Sequence, residues 1–285
     1  MIRLIRAELY KIFKGRTFKV LLILALILGI LPIVAEATFS KLDTIESQNS
    51  NIQIGTMEKN KVDDEIAIGN FGMNTAFVKD PLNITSEEIF YVGFGHGITE
   101  LFIVILVGAL FANEYSQGTI KNTLAYGKKR RDFYIAKFLG ALLVIFLITA
   151  IMTLTPTILN GLIKGNFNLN ISQVSGMAKS FLGVGVVSAA TVSLTMLLSL
   201  LLKGNGPTIA VGIGVLLIVP TFLSAFASNK VIDKLVRLTI FYNSTVVRTM
   251  GASLEQFNRS LLIGAITLAA ALLLGIVIFN RQDIK

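Results

Sequence analysis

Apolar positions in this chain do not alternate with polar ones as they would in a strand. They gather into six long runs, at residues 20–35, 93–112, 133–159, 178–202, 208–227 and 260–279. The hydrocarbon core of a bilayer is about 30 Å thick, and a helix needs roughly 20 apolar residues to cross it. Lipid offers backbone groups no partners, so only helices and closed barrels span it. The pattern predicts an all-α polytopic membrane protein with six transmembrane helices. Lys203-Gly204-Asn205-Gly206-Pro207 reads as a tight turn between the fourth and fifth spans. Residues 38–91 form a long polar segment, and residues 228–258 a semi-polar one before the last span. Within the first, Thr85-Ser86-Glu87-Glu88 reads as a capping box. It predicts a helix that starts there and runs on into the second span.

The first 19 residues precede any span. At 100° per residue, Ile2, Ile5, Leu9, Ile12 and Phe13 share one face. Arg3, Lys11 and Lys14 lie opposite, Arg6 sits at the border, and Leu4 is the one misfit. An interfacial amphipathic helix has this pattern, with its apolar face below the headgroups and its cations on anionic lipid. The alternative is an ordinary basic flank before a first span. Ala35-Glu36-Ala37 resembles a signal-peptidase site. The basic segment is too long and too amphipathic for a typical leader, so the first span is expected to be retained.

Composition agrees with the membrane reading: 53% of the 285 residues are hydrophobic and 15% charged. The formal charge of +9 would suggest nucleic acid in a soluble domain. Placing the charges gives another meaning. With the N-terminus inside, residues 1–19, 113–137, 203–206 and the tail hold fifteen Lys and Arg against four acids. The rest of the chain holds eleven basic and thirteen acidic residues. Positive residues concentrate in short inner loops, so both termini are expected in the cytoplasm of a multi-pass plasma-membrane protein, with no nucleic-acid partner.

Candidate chemistry is sparse. Without cysteine and with one histidine, His96, the chain lacks the usual ligands for a transition metal, and no metal site is expected. An intramembrane enzyme would need convergent nucleophile, base or metal ligands, which the sequence does not offer. No GxxxxGK[ST] loop occurs, so the chain does not hydrolyse ATP by itself. Glu100 falls inside the second span, about 9 Å below the outer edge by helical rise, with His96 one turn away. Either the two line a translocation path or pair with a neighbouring subunit, or the bundle tilts and both reach interfacial water. Gly183, Gly185, Ser188, Ala189, Ala190, Thr191 and Ser193 in the fourth span, then Gly212 and Gly214 in the fifth, mark small-residue faces of helix–helix contact, within one subunit or between two.

The most informative stretch follows the second span. Asn113-Glu114 and then Gly118-Thr119 allow a short helix across the membrane face, and Lys128-Lys129-Arg130-Arg131 follow. The basic run alone reads as a positive-inside loop. The whole arrangement, Glu114-Tyr115-Ser116-Gln117-Gly118-Thr119-Ile120-Lys121-Asn122, a basic segment, then Phe133-Tyr134-Ile135-Ala136-Lys137-Phe138, resembles the first cytoplasmic loop of ABC-2-type exporter permeases. Among these it is most similar to the small bacterial permeases of bacitracin and lantibiotic immunity. Residues 38–91 are longer here than in the smallest of those permeases.

The resemblance spans the chain and implies a single transmembrane domain over residues 1–285. It implies an elbow helix at 1–19 carrying Arg3, Arg6, Lys11 and Lys14, and outer re-entrant helices within 228–258. In the 113–132 loop it implies a coupling helix in which Glu114, Gln117, Gly118, Thr119, Lys121 and Asn122 meet a separate ATPase subunit. That subunit would bind ATP and Mg, so this chain needs no cofactor of its own. A second permease copy or a paralogue would complete the pore in membrane lipid. Export of an amphipathic peptide, an antibiotic or a lipid-like compound is the implied activity. The sequence leaves two other classes standing, an ion-coupled carrier or channel, and a structural or sensory membrane protein. The few buried charges besides Glu100 speak against the carrier.

Overall fold

The computed structural model describes residues 1–49, 78–80, 82–95, 97–112, 114, 118, 129–165, 167, 169–225 and 230–282. Every regular element among them is helical. The helices are α1 (Ile2–Lys14), α2 (Arg16–Asn49), α3 (Ser86–Val92), α4 (Ile98–Val107), α5 (Arg130–Ile163), α6 (Ile171–Leu202), α7 (Asn205–Ala225), α8 (Lys230–Val236), α9 (Ile240–Arg248) and α10 (Leu254–Arg281). A π-helical turn, Gly108–Ala112, extends α4. Helices α2, α5, α6, α7 and α10 are each long and apolar enough to cross a membrane. The sixth apolar helix, Ile98–Ala112, is shorter.

The second apolar run departs from the sequence expectation. The Thr85 capping box is present: Thr85 Oγ1 accepts from Glu88 N at 3.2 Å, and Glu88 Oε2 accepts from Thr85 N at 2.9 Å. The helix it starts stops at Val92 instead of running through. Gly93, Gly95 and Gly97 follow at every second position, each costing a helix interior about 1 kcal/mol. Gly97 sits at φ +74°, a left-handed conformation that side chains disfavour, and it becomes the residue before α4. Gly93 has a second reason for lacking a side chain, because a Cβ there would lie 2.6 Å from the Met152 carbonyl oxygen of α5. Thr99 Oγ1 donates to Phe94 O at 3.1 Å, satisfying a carbonyl within the break. The 15 residues from Ile98 cover about 22 Å at ~1.5 Å each, less than a bilayer core.

Helix α6 is the centre of the bundle. It packs along α10 for most of its length and also meets α4, α5, α7 and α9. Its small residues permit this close approach: a Cβ at Gly183 would lie 2.8 Å from the Phe257 ring of α10. Four of its buried hydroxyls are satisfied within the helix. Thr191, Ser193, Thr195 and Ser199 donate to carbonyls three or four residues back, at 2.8–3.1 Å. Helices α2, α7 and α10 present wide apolar outer faces, including Ile27, Ile218 and Leu273. The main core runs between α5, α4 and α6, through Phe102, Ile103, Leu106, Val144, Ile148 and Val192. A second cluster at the α3 end joins Phe90, Tyr91, Phe94, Val184, Val187 and Val247.

At that same end a polar knot ties three segments. Lys164 Nζ, on the residue after α5, lies 2.7 Å from Glu36 Oε1 of α2 and donates to Ile84 O at 2.6 Å. Glu36 Oε1 also accepts from Ile84 N at 3.1 Å. Asn160 Nδ2 donates to Ile84 O at 3.2 Å, so the chain entering α3 is held on both sides.

Candidate functional site

Two charged clusters stand out, one at each end of α4 and its π-helical extension. The first is at the α1 end. Helix α1 packs on α5, but not by the face expected from the apolar positions alone. Glu8 and Ile12 are buried and Leu4 half-buried, whereas Ile2 and Phe13 are exposed. At 100° per residue Glu8 falls between Leu4 and Ile12. The misfit Leu4 therefore belongs to a protein-facing side with a carboxylate at its centre. Arg3, Arg6 and Lys14 lie on the exposed remainder of the helix.

The carboxylate of Glu8 meets Lys137, on the second turn of α5, at 2.6 Å. Lys137 Nζ also lies 2.7 Å from Glu114 Oε1, two residues beyond the π-helical turn, and donates to Leu110 O within that turn at 3.4 Å. Lys11 completes the ring, 2.9 Å from Glu8 Oε1 and 3.4 Å from Glu114 Oε1. Two cations and two anions so join α1, the exit of α4 and the entry of α5. Lys137 and Glu8 are both buried, so each depends on the other for charge compensation. Burial alone would push the Glu8 carboxyl up; Lys137, then Lys11, outweigh it and hold it below the ordinary value. Burial would likewise lower the Lys11 ammonium, but Glu8 and Glu114 raise it overall.

Of the other loop residues singled out in the sequence, Gly118 has φ +67° and open space where a side chain would go. Gln117, Thr119, Lys121 and Asn122 lie outside the described residues. Arg130, read from the sequence as part of a positive-inside run, has a specific partner. Its Nη1 donates to Phe279 O at 3.3 Å, Asn280 O at 3.2 Å and Gln282 O at 2.5 Å. These are end carbonyls of α10 that no longer have helical donors. Gln282 Nε2 in turn donates to Leu200 O of α6 at 3.1 Å.

The second cluster holds Glu100. Arg248 of the same chain meets it, with Nη1–Oε1 at 2.5 Å. Glu100 is 4% exposed and Arg248 1%. Each charge sits at the favourable end of its helix dipole: Glu100 in the first turn of α4, Arg248 at the last residue of α9. The pairing is single. Glu100 Oε2 and Arg248 Nε and Nη2 are buried without a hydrogen-bond partner among the described residues. His96, expected beside Glu100, lies outside the described residues. No group of three or more His, Asp or Glu suited to a metal ion occurs among the described residues.

Sequence reasoning missed Arg248, Lys137 and Glu8. Lys137 had a signal, a lone cation inside the apolar run Phe133–Leu139. Glu8 had one too, a lone acid in a basic helix bracketed by apolar residues. Arg248 had none, because its partner is 148 residues away.

A family model described as ABC-2 family transporter protein matches residues 2–284. A search of curated proteins finds no match. Proteins of this family are the membrane-spanning, non-catalytic part of an ABC transporter and normally work with a separate ATP-binding subunit. A match over nearly the whole length, on a chain folded as a bundle of membrane-length helices, establishes that this protein belongs to the ABC-2 family of transporters.

Proposed function

We propose that the chain is the permease half of an ATP-driven exporter. It crosses the cell membrane six times, counting the α3–α4 pair, with both termini in the cytoplasm. Two copies, or one copy and a paralogue, pair with two ATPase subunits that bind ATP and Mg. Helix α1 is the elbow, and the segment from Glu114 to Asn122 is the coupling element that receives the ATPase. The cargo is an amphipathic peptide, an antibiotic or a lipid-like compound moved out of a bacterial cell past Glu100 and His96.

The observation that supports this most is the position of Glu114. It is the first described residue beyond the π-helical turn, and it is ion-paired to Lys137, which also holds Glu8. A push on the loop that follows is thereby delivered to α1, α4 and α5 together. The acids and bases balance locally, so the cluster transmits force without adding a net charge.

The test is co-purification with the ATPase subunit and stimulation of its activity, before and after Glu114→Ala and Thr119→Ala. The expected result is retained membrane insertion, with assembly or ATPase stimulation reduced roughly tenfold, equivalent to about 1.4 kcal/mol. Unchanged assembly and stimulation in both variants would remove the coupling assignment.

A further inference from the structure

We infer that the Glu100–Arg248 pair is a latch that keeps the α3–α9 end of the permease closed, and that this end opens only when the pair separates. The inference rests on the exporter reading and its topology, which puts this end outside.

The first ground is location. Arg248 is carried by α9, a helix of nine residues packed between α6 and α10. Glu100 is carried by the first turn of α4, immediately after the glycine break. Each carrier is flanked by a left-handed glycine, Gly97 before α4 and Gly251 three residues past α9. Hinges draw on a few terminal positions of this kind, which absorb large changes in backbone angle. The pair therefore bridges two short elements, each with a left-handed glycine close to the end that carries the charge.

The second ground is chemical. An arginine facing a carboxylate commonly uses two parallel N–H donors. Here one nitrogen serves one oxygen, and three further polar atoms of the pair are buried without a partner among the described residues. A half-satisfied buried network is a poor way to hold a structure together, since an apolar contact of equal size would do better. The arrangement suits two groups that spend part of the cycle in water. Neither charge can be left alone in the low-dielectric interior, so the two part only when solvent reaches both. Separation and wetting of this end are then one event. The aromatic cluster of Phe90, Tyr91 and Phe94 with Val247, beside Arg248, keeps water out while the latch holds.

The absence of cysteine gives a clean probe. Thr99, fully buried beside Glu100, takes a thiol with little change in size, as Thr99→Cys in the full chain in intact cells. Labelling by a membrane-impermeant maleimide added outside then reports opening. With the pair intact the thiol is expected to stay protected. Glu100→Gln and Arg248→Gln are each expected to raise the labelling rate about tenfold, and the double change Glu100→Leu with Arg248→Leu, which restores a dry contact, to return it toward the starting rate. If a glutamine variant does not insert, Glu100→Asp, which keeps the charge but shortens its reach, is read by the same rule. A rise of less than threefold in the variants that insert overturns the latch.

The same labelling, with and without the ATPase subunit, separates this inference from the exporter reading. Variant-dependent labelling that ignores the ATPase and its nucleotide leaves the latch standing and sinks the coupling. Nucleotide-dependent labelling in the starting protein that the variants do not change does the reverse.

Discussion

Lys137 is the residue on which the α1 end depends. It is buried against two carboxylates, so its removal leaves the buried Glu8 with only the half-exposed Lys11 as a partner. Lys137→Met is expected to destabilise the protein by about 3–5 kcal/mol, the usual cost of breaking a buried pair from one side. Adding Glu8→Gln should recover a large part of that loss, and thermal unfolding of the purified single and double variants measures both. The same residues set a pH window. Glu8 is held below its ordinary carboxylate value of 4.5, so its contribution is complete above that value and is lost as acid protonates it. Lys11 is held above 10.5, so its contribution is complete below that value and lost only in stronger base. The docking of α1 should be stable across neutral pH and fail on the acid side. The acid limb of a stability–pH profile should flatten in Glu8→Gln, whose amide does not titrate.

At the scale of elements the broken second helix is the informative case. Its left-handed entry predicts a graded series at Gly97. Alanine there should cost about 1–2 kcal/mol, the penalty for a side chain in the left-handed region, and asparagine less because it tolerates that conformation. Melting temperatures of the two variants against the parent check the order. The sequence carried half of this element. The Thr85 capping box located the start of α3 because a cap is local chemistry, satisfied within four residues. The end of α3 was not read, because hydropathy averages over Gly93, Gly95 and Gly97 and scores the run as one span. The shape of α1 was half-legible for a similar reason. Its period was clear, but the choice of inward face was made by one buried carboxylate whose partner lies far along the chain. Pairings across 148 residues, such as Glu100 with Arg248, leave no periodic trace at all.

For the whole molecule, the bundle is asymmetric in what its helices bury. Two-thirds of the apolar window of α6 is buried, against 17% for α7. Adding a side chain at a glycine should therefore behave in opposite ways on the two helices. Gly183→Val in α6 drives a side chain into the Phe257 ring and should cost about 1–3 kcal/mol by overpacking. Gly214→Ala in α7 meets nothing within 4 Å and should be neutral or stabilising by up to about 1 kcal/mol. Expression level and melting temperature in a mild detergent separate the two. The membrane-protein class was legible at this scale because it needs only run length and the placement of cations. The way six runs share one core was not, because small residues mark a contact without naming the partner.

The grip of Arg130 on the last carbonyls of α10 bears on how the protein is made. The entry to α5 holds α1 through Lys137 and the end of α10 through Arg130, so two helices far apart in the sequence meet at one place. Glu8 has only Lys11 beside it until Lys137, more than a hundred residues on, has been synthesised, and Arg130 lacks its acceptors until α10 has been made. Assembly of this end is thus a late step that registers whether every helix between has been inserted in its proper direction. A chain with one helix missing or inverted would leave buried charges unmatched at this junction, a defect that quality-control proteases in the membrane can recognise.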